Sequence, residues 1–191
     1  MVLGPVAKQP SGTAGVSPAA HRGWHERGYL PHFDAGAAVQ AITYRLADSL
    51  PRHVECDRRR SESLLDRGRG RCILRQPALA REVIDAWRHF DGVRYRLHAW
   101  VVMPNHVHVV ATMFDGHPLS RIVHSWKSYT AHRIRALTGG TGRVWHPDYW
   151  DRFVRDEAHF LTAVTYVEYN PVLAGLVERP DAWPFSSAAA G

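Results

Sequence analysis

The chain has 191 residues, of which 45% are hydrophobic and 22% charged, as is typical of one globular domain with a sizeable core. No apolar run approaches the roughly 20 residues of a membrane helix. Residues 1–20 also lack the apolar segment of a signal peptide, so we expect a cytoplasmic protein. The two cysteines, Cys56 and Cys72, exclude a zinc ribbon. The formal charge of +6 favours a polyanionic partner, nucleic acid ahead of membrane; the alternative is simply a basic soluble protein.

The chain is predicted to begin with a disordered tail. Residues 1–23 are dominated by Gly, Pro, Ala and Ser and hold few large apolar side chains, so a single domain is expected over residues 24–191. Residues 39–46 predict the first strand of that domain. An insertion at about residues 57–71 then carries six arginines and a Gly68-Arg69-Gly70 loop. It is either an arm that follows phosphates or a solvated, partly helical insertion.

Hydrophobic periodicity predicts the remaining elements. They comprise helices at residues 77–91, 119–137 and 157–169, and strands at residues 95–103, 106–113 and 150–155. Pro104 and Asn105 form a short link that makes the two central strands an antiparallel hairpin. Asp156 is the expected N-cap of the last helix, and Pro171 is expected to end or kink that helix.

The order of these elements is strand, helix, strand, strand, helix, strand, followed by an added helix. It predicts the α+β class and a ferredoxin-like split β-α-β sandwich, in which an antiparallel sheet carries helices on one face. The hairpin strands would lie in the centre of that sheet. Their side chains would reach whichever face the helices leave open or cover only in part.

His106 and His108 are the first candidates for chemistry. They lie two residues apart in a predicted strand, so both imidazoles leave the same face of the sheet, which is the geometry of metal ligands. The alternative is a pair of solvated strand-end histidines, because the chain holds 13 histidines. Two imidazoles fill only part of a coordination shell, and they leave positions for a third ligand, a water or a phosphate oxygen.

Tyr166 and Asn170 could supply the missing groups. They are four residues apart on a predicted helix and share a face, so that a phenol and a carboxamide could be aimed at one metal. From the residues alone, a half-buried aromatic and a cap before Pro171 are the favoured interpretations. Tyr129 is assigned to packing, because Arg133, four residues further on, cannot ligate a metal.

Five motifs follow one another along the chain between about residue 23 and the end. They are LHAWVVMPNHVH at residues 97–108, WKS at 126–128, DRFVRDE at 151–157, YVEYNPVLAGLV at 166–177 and WPFSS at 183–187. In this order the motifs resemble those of the REP-associated tyrosine transposases. These proteins are a bacterial branch of the single-tyrosine HUH endonucleases and are related to insertion-sequence transposases.

The resemblance implies a role for each candidate residue. His106 and His108 would hold a divalent metal, Mg²⁺ or Mn²⁺, and Asn170 would complete the metal site. Tyr166 would be the nucleophile that attacks a single-stranded DNA phosphate, leaving a 5′-phosphotyrosine and a free 3′-hydroxyl. The resemblance thus implies a metal-dependent, sequence-specific single-stranded DNA endonuclease and strand transferase acting on REP-type hairpins. The protein would be nucleoid-associated, without a membrane partner, and a monomer or homodimer.

Members of this family bind short palindromic repeats that fold into hairpins. Candidate phosphate contacts are Lys127, Arg152 and Arg155, and Trp145, Tyr149 or Trp150 could stack on unpaired bases. Ordinary surface charges and core aromatics are the alternatives for all of these residues. Two other functions stay open. One is a DNA-hairpin-binding protein on the same fold without productive cleavage; the other is a nucleotide hydrolase with a His-x-His-x-His run, which Val110 in the third position disfavours.

Overall fold

The structure is a computed structural model and describes residues 23–26, 31–34, 38–50 and 58–190. The predicted disordered tail lies outside these residues, except for Gly23. That residue begins a two-stranded antiparallel ribbon, which the sequence analysis did not predict. The strands of the ribbon are β1 (Gly23–Glu26) and β2 (Pro31–Asp34).

The sheet at the centre of the fold consists of β3 (Val39–Arg45), β4 (Tyr95–Val102), β5 (His106–Met113) and β6 (Trp150–Phe153). All neighbouring strands are antiparallel, and their order across the sheet is β4–β5–β3–β6. The prediction that both hairpin strands lie in the centre is therefore wrong for β4, which is an edge strand because β3 pairs with β5 on its other side. Met103 donates its amide to the His106 carbonyl at 2.9 Å and so closes the predicted hairpin. With its connecting helices the sheet is a ferredoxin-like split β-α-β sandwich, and the predicted fold class is confirmed.

Two of the helices form a layer on one face of the sheet. The helices are α1 (Arg58–Asp66), α2 (Pro77–Arg88), α3 (Leu119–Thr138) and α4 (Glu157–Leu173), of which α2 and α3 form this layer. Aromatic side chains of this layer and of the sheet form hydrogen bonds with one another. Trp87 donates to the Tyr44 hydroxyl at 2.9 Å, and Trp126 donates to the Tyr95 hydroxyl at 2.9 Å. A satisfied buried network of this kind holds the helices in one arrangement. Among the described helices, none has the length and apolarity needed to cross a membrane.

α4 covers the opposite face of the sheet. It packs Val167 against Val101 and Val110 of the two hairpin strands. Its first turn is capped as predicted, because the Asp156 carboxylate accepts a hydrogen bond from the His159 amide at 2.8 Å. The side chains that β5 presents to this face therefore meet α4.

Pro171 lies inside α4, so the predicted end of that helix near residue 169 is wrong. So close to the C-terminal end of a helix, a proline removes a single backbone donor, and the helix tolerates it. The next turn is completed when Ala174 donates its amide to the Asn170 carbonyl at 2.9 Å. Gly175, with φ of +67°, follows directly. As a result, Asn170 keeps helical geometry and lies one turn beyond Tyr166.

The Arg-rich insertion is partly helical, which agrees with one of the two interpretations of its sequence. Its first residue, Asp57, lies outside the described part of the chain. After α1 the chain folds back on the end of β3, where Arg71 donates to the Asp48 carboxylate at 2.9 Å. Gly70 has φ of +83°, and a Cβ there would lie 2.7 Å from the Asp48 carbonyl oxygen. Leu65, buried beside Leu50, anchors the end of α1. The insertion is therefore attached closely to the sheet.

Candidate active site

His106 and His108 leave the face of β5 that α4 covers. Their side chains are buried, with 1% and 3% of their surface exposed. The two Nε2 atoms lie 3.0 Å apart, and the rings are nearly perpendicular. The structure thus brings the predicted pair together at the start of the strand, inside the protein rather than at a solvated end.

Asn105 sets the orientation of His106. Its amide nitrogen donates to the carbonyls of Leu65 and Arg69 at 3.1 and 2.8 Å, so its oxygen is the atom that lies 2.7 Å from His106 Nδ1. That oxygen can only accept, which places the imidazole proton on Nδ1 and a lone pair on Nε2. Burial, and then the neighbouring His108, lower the pKa of His106 well below its usual range. His106 is therefore neutral, as a metal ligand must be.

The partner of His108 is Thr43 on the neighbouring strand β3. His108 Nδ1 lies 2.8 Å from the Thr43 hydroxyl oxygen. When that nitrogen donates to Thr43, lone pairs on both Nε2 atoms face each other and repel unless a proton or a cation lies between them. Two adjacent ligands of an octahedral ion with bonds of about 2.1 Å are about 3 Å apart. The spacing of the two nitrogens therefore fits a small divalent cation.

Tyr166 lies over the histidine pair. Its half-buried ring stands 5.5 Å from that of His108, centroid to centroid, at an angle of 79°. The phenol borders a cavity of about 350 Å³ between α4 and the sheet, which Thr43, His108 and Arg152 also line. A phenol, the imidazole of His108 and a guanidinium thus border one open space, with His106 directly behind His108.

Asn170 is the fourth predicted member of the site. Its side chain has 0% of its surface exposed, and neither the carboxamide oxygen nor the nitrogen has a hydrogen-bond partner among the residues that the structure describes. A buried polar group without a partner costs about 1–3 kcal/mol. This state is expected of a carboxamide whose oxygen serves as a metal ligand. Together with the imidazole spacing, it means that the residues present fit the metal that the resemblance implies.

Asp66 is a member of the site that the sequence analysis missed. Its carboxylate Oδ1 lies 3.7 Å from His106 Nε2, is itself buried, and has no hydrogen-bond partner in the described ranges. Burial, and then Glu62, raise the pKa of Asp66 to about 6. Because His106 is neutral, their contact is not an ion pair. The available signal was weak: Asp66 is an acidic residue at the C-terminal end of a helix, where the helix dipole disfavours it.

The predicted DNA contacts lie in different environments. Arg152 and Arg155 are exposed, and Arg152 lines the cavity beside Tyr166. Lys127 donates to the Pro147 and Asp148 carbonyls at 2.7 and 3.3 Å and so joins α3 to the loop before β6. Burial lowers the pKa of Lys127 to about 8, against the opposing effect of Asp148.

The aromatic candidates lie in the interior. Trp145 packs edge-on against Tyr44 and donates to the Thr130 hydroxyl at 2.9 Å, while Tyr149 and Trp150 are also buried. These positions favour the core alternative for all three aromatics. Tyr129, which was assigned to packing, is instead 51% exposed on α3.

The last two motifs connect α4 to the edge of the sheet. The Glu168 carboxylate accepts a hydrogen bond from the Ser187 hydroxyl at 3.0 Å, and that hydroxyl oxygen accepts from the Trp100 amide on β4 at 3.1 Å. Trp183 donates to the Val102 carbonyl at 2.9 Å. These bonds keep α4, and with it Tyr166, in place over the hairpin.

Residues 80–170 match the family model described as "Transposase IS200 like". The matched segment contains the histidine pair and the turn of α4 from Tyr166 to Asn170. This part of the chain, slightly less than half of the sequence, is similar to the IS200-like transposases, and the resemblance inferred from the motifs is confirmed. Asp66 lies outside the match.

The chain is also similar to REP-associated tyrosine transposases. It is 29% identical over 93 residues to the REP-associated tyrosine transposase of Escherichia coli K12, an alignment that covers 49% of this chain and 54% of the relative. The chain thus spans about half the length of that relative. A solved structure of a REP-associated tyrosine transposase bound to a REP hairpin superposes with a TM-score of 0.59 at 23% identity, covering 87% of this chain and 82% of the other. At that identity the likeness shows the fold.

Proposed function

We propose that the protein is a metal-dependent, sequence-specific single-stranded DNA endonuclease and strand transferase that acts on REP-type hairpins through a 5′-phosphotyrosine. The observation that carries this proposal is the position of Tyr166 over His108, whose Nε2 atom faces that of His106. One turn further along the same helix, the buried carboxamide of Asn170 has no hydrogen-bond partner in the described part of the chain, which supports its role as a third ligand. The similarity to REP-associated tyrosine transposases, one of which has been solved bound to a REP hairpin, supports the class of DNA.

The metal site would be formed by His106, His108 and Asn170, with Mg²⁺ or Mn²⁺ as its ion. When bound, the ion would supply positive charge that polarises the scissile phosphate. Asn105 and Thr43 fix the imidazole orientations, so the ligand nitrogens are directed at one point before any ion arrives. The two neutral partners at Nδ1 therefore orient the ligands without adding charge to the site.

Tyr166 would carry out the covalent step. Its hydroxyl oxygen forms a bond to the phosphorus of the single-stranded DNA, and the bond between phosphorus and the 3′-oxygen breaks. The phenol loses its proton, and the 3′-oxygen gains one as it leaves as a hydroxyl. Because the phosphoester is exchanged rather than hydrolysed, the free 3′-hydroxyl of another end can reverse the step without external energy.

The surroundings of Tyr166 suit such a step. Its ring is held against His108, and Arg152, exposed at the edge of the same cavity, can bind a DNA phosphate. All four proposed site residues come from one chain. A monomer would therefore hold a complete site, whether or not a homodimer forms.

The proposal is tested by incubating the protein with a panel of single-stranded REP-type hairpins and Mn²⁺, followed by a denaturing gel. We expect a covalent protein–DNA band with the wild type and with Tyr129→Phe, whose tyrosine lies on α3, but none with Tyr166→Phe. A band that persists in Tyr166→Phe contradicts the choice of nucleophile. Hairpin binding by the wild type without a band on any substrate would favour a DNA-binding protein that has lost cleavage.

A further inference from the structure

We infer that Asp66, from the Arg-rich insertion, is an additional ligand of the divalent metal at His106 and His108. The inference rests on the proposed metal site and adds a carboxylate to its two imidazoles and one carboxamide. The insertion thereby gains a role in the chemistry of the site, whereas its sequence suggested only a phosphate-tracking arm or a solvated helix.

The distances place this carboxylate within reach of the ion. Asp66 Oδ1 lies 3.7 Å from His106 Nε2, which in turn lies 3.0 Å from His108 Nε2. Two adjacent ligands of one octahedral ion are about 3 Å apart, so Asp66 Oδ1 lies about 0.7 Å farther from His106 Nε2 than an adjacent ligand would. Accordingly, no three His, Cys, Asp or Glu side chains in the described part of the chain already lie at metal-binding spacing. Rotation of the Asp66 side chain is enough to close the remaining distance.

The carboxylate has no other partner that would account for its position. Its Oδ1 is buried and makes no hydrogen bond within the described part of the chain, although 27% of the side chain is exposed. Asp66 also lies at the C-terminal end of α1, where a negative charge is disfavoured by the helix dipole. A buried and unpaired anion is unfavourable in the metal-free protein, and a cation would remove both penalties.

The position of Asp66 is fixed by the same amide that orients His106. Asn105 donates to the carbonyls of Leu65 and Arg69, the residues on either side of the end of α1. Asn105 directly precedes β5, so α1 cannot move away from that strand without breaking both hydrogen bonds. The burial of Leu65 opposes the same movement. The imidazole and the carboxylate are therefore held together as one unit.

The chemistry of the ion favours this additional ligand. Mg²⁺ and Mn²⁺ are hard cations that prefer carboxylate and carbonyl oxygens, and they bind weakly to imidazole alone. Two neutral histidines and one neutral carboxamide leave the full charge of the ion uncompensated. Asp66 supplies one negative charge and a preferred oxygen ligand, which raises affinity before DNA phosphates are present.

The test is a Mn²⁺ titration of the full chain. Binding is measured by the decrease of the free Mn²⁺ signal in electron paramagnetic resonance. We expect Asp66→Asn to weaken Mn²⁺ binding at least about tenfold. The matched control is Asp85→Asn, the same substitution at an exposed position on α2, and it should weaken binding less than about threefold. Equal losses in the two variants would mean that Asp66 acts only through its charge, and would overturn the inference.

A second variant separates ligation from stability. Asp66→Cys replaces a hard oxygen anion by a soft sulfur anion, which prefers Cd²⁺ to Mn²⁺. The ratio of Cd²⁺ affinity to Mn²⁺ affinity should therefore be at least about tenfold higher in this variant than in the wild type. Both proteins carry the two native cysteines, so these do not contribute to the difference. An unchanged ratio contradicts ligation by residue 66. Thermal unfolding without metal shows whether each variant is folded. In addition, Mn²⁺ should raise the melting temperature of Asp66→Asn less than that of the wild type.

His106→Ala distinguishes this inference from the proposed function. If His106→Ala binds Mn²⁺ as the wild type does, the histidine site itself is wrong. If His106→Ala loses binding while Asp66→Asn retains it, the histidine site stands and only the role of Asp66 is rejected. Loss of binding in both variants, with Asp85→Asn close to the wild type, supports the additional ligand.

Discussion

Asn105 and Thr43 show how single residues prepare the site. Each gives one histidine a neutral hydrogen-bond partner at Nδ1, and neither partner is a carboxylate. A carboxylate partner would make the imidazole more basic and a stronger ligand. With neutral partners the imidazoles are weaker ligands, which suits the proposed ion because it must also bind a DNA phosphate. Orientation, more than ligand strength, is therefore what these two residues provide.

Asn105→Ala is expected to destabilise the protein and to weaken the metal site. The change leaves the Leu65 and Arg69 carbonyls and the His106 Nδ1–H without their partner, and the expected loss is about 2–3 kcal/mol of unfolding free energy. Urea denaturation measures that loss, and the Mn²⁺ titration should show at least about a tenfold weaker affinity. Ser128→Ala, at an exposed position on α3, is the control. An unfolding free energy of Asn105→Ala equal to that of the control would contradict this role.

Lys127 should give the stability of the protein a distinct pH dependence. In the unfolded chain a lysine keeps its proton up to about pH 10.4, whereas burial lowers the pKa of Lys127 to about 8 in the folded protein. Between these values the unfolded state binds more protons, so the contribution of Lys127 makes the unfolding free energy rise with pH. The slope is at most about 1.4 kcal/mol per pH unit, and less because the side chain is partly exposed.

The measurement is urea denaturation from pH 7 to 10.5 with the wild type and Lys127→Met. The unfolding free energy of the wild type minus that of Lys127→Met should increase above pH 8. A constant difference over this range would show that the folded lysine titrates normally. In that case the burial of Lys127 beside the two loop carbonyls would be too small to lower its pKa.

The elements were predictable where their signals are local. The periodicity of 106–113 gave β5 without error, and Asp156 marked the start of α4, because side-chain alternation and capping depend on neighbouring residues. The end of α4 was wrong, since Pro171 removes only one donor and packing against the sheet compensates for it. The Asp66–His106 contact joins residues 40 positions apart, and no periodicity encodes it. Sequence therefore indicated Tyr166 and Asn170 through a motif but not the carboxylate.

Gly70 controls how closely the end of the insertion approaches β3. Gly70→Ala should lower the unfolding free energy, because its Cβ would lie 2.7 Å from the Asp48 carbonyl oxygen at φ of +83°. Gly92→Ala is the matched control, with φ of +77° and no atom within 4 Å of its Cβ. The alanine strain at positive φ, roughly 1 kcal/mol, is common to both. Urea denaturation should show a larger loss in Gly70→Ala by about 1–3 kcal/mol. Equal losses would mean that the loop shifts away freely.

At the scale of the whole molecule, the two faces of the sheet have different roles. The face under α2 and α3 contains the larger hydrophobic core, including Trp87 and Trp126. The face under α4 carries the histidine pair and the cavity that Arg152 borders. One layer thus stabilises the sheet, so that the other can hold buried polar groups whose own contribution to stability is unfavourable.

This division predicts that Arg152 matters for DNA and that an arginine on the other layer does not. Binding of a single-stranded hairpin is measured by fluorescence anisotropy over a range of KCl concentrations, with Tyr166→Phe as the background to prevent cleavage. Arg152→Ala should weaken binding and reduce the slope of log K against log salt by about 0.7, the value for one phosphate contact on single-stranded DNA. Arg81→Ala, at an exposed position on α2, should leave both unchanged. If the two variants behave alike, the cavity beside Tyr166 is not where the DNA backbone binds, and net charge alone accounts for the affinity.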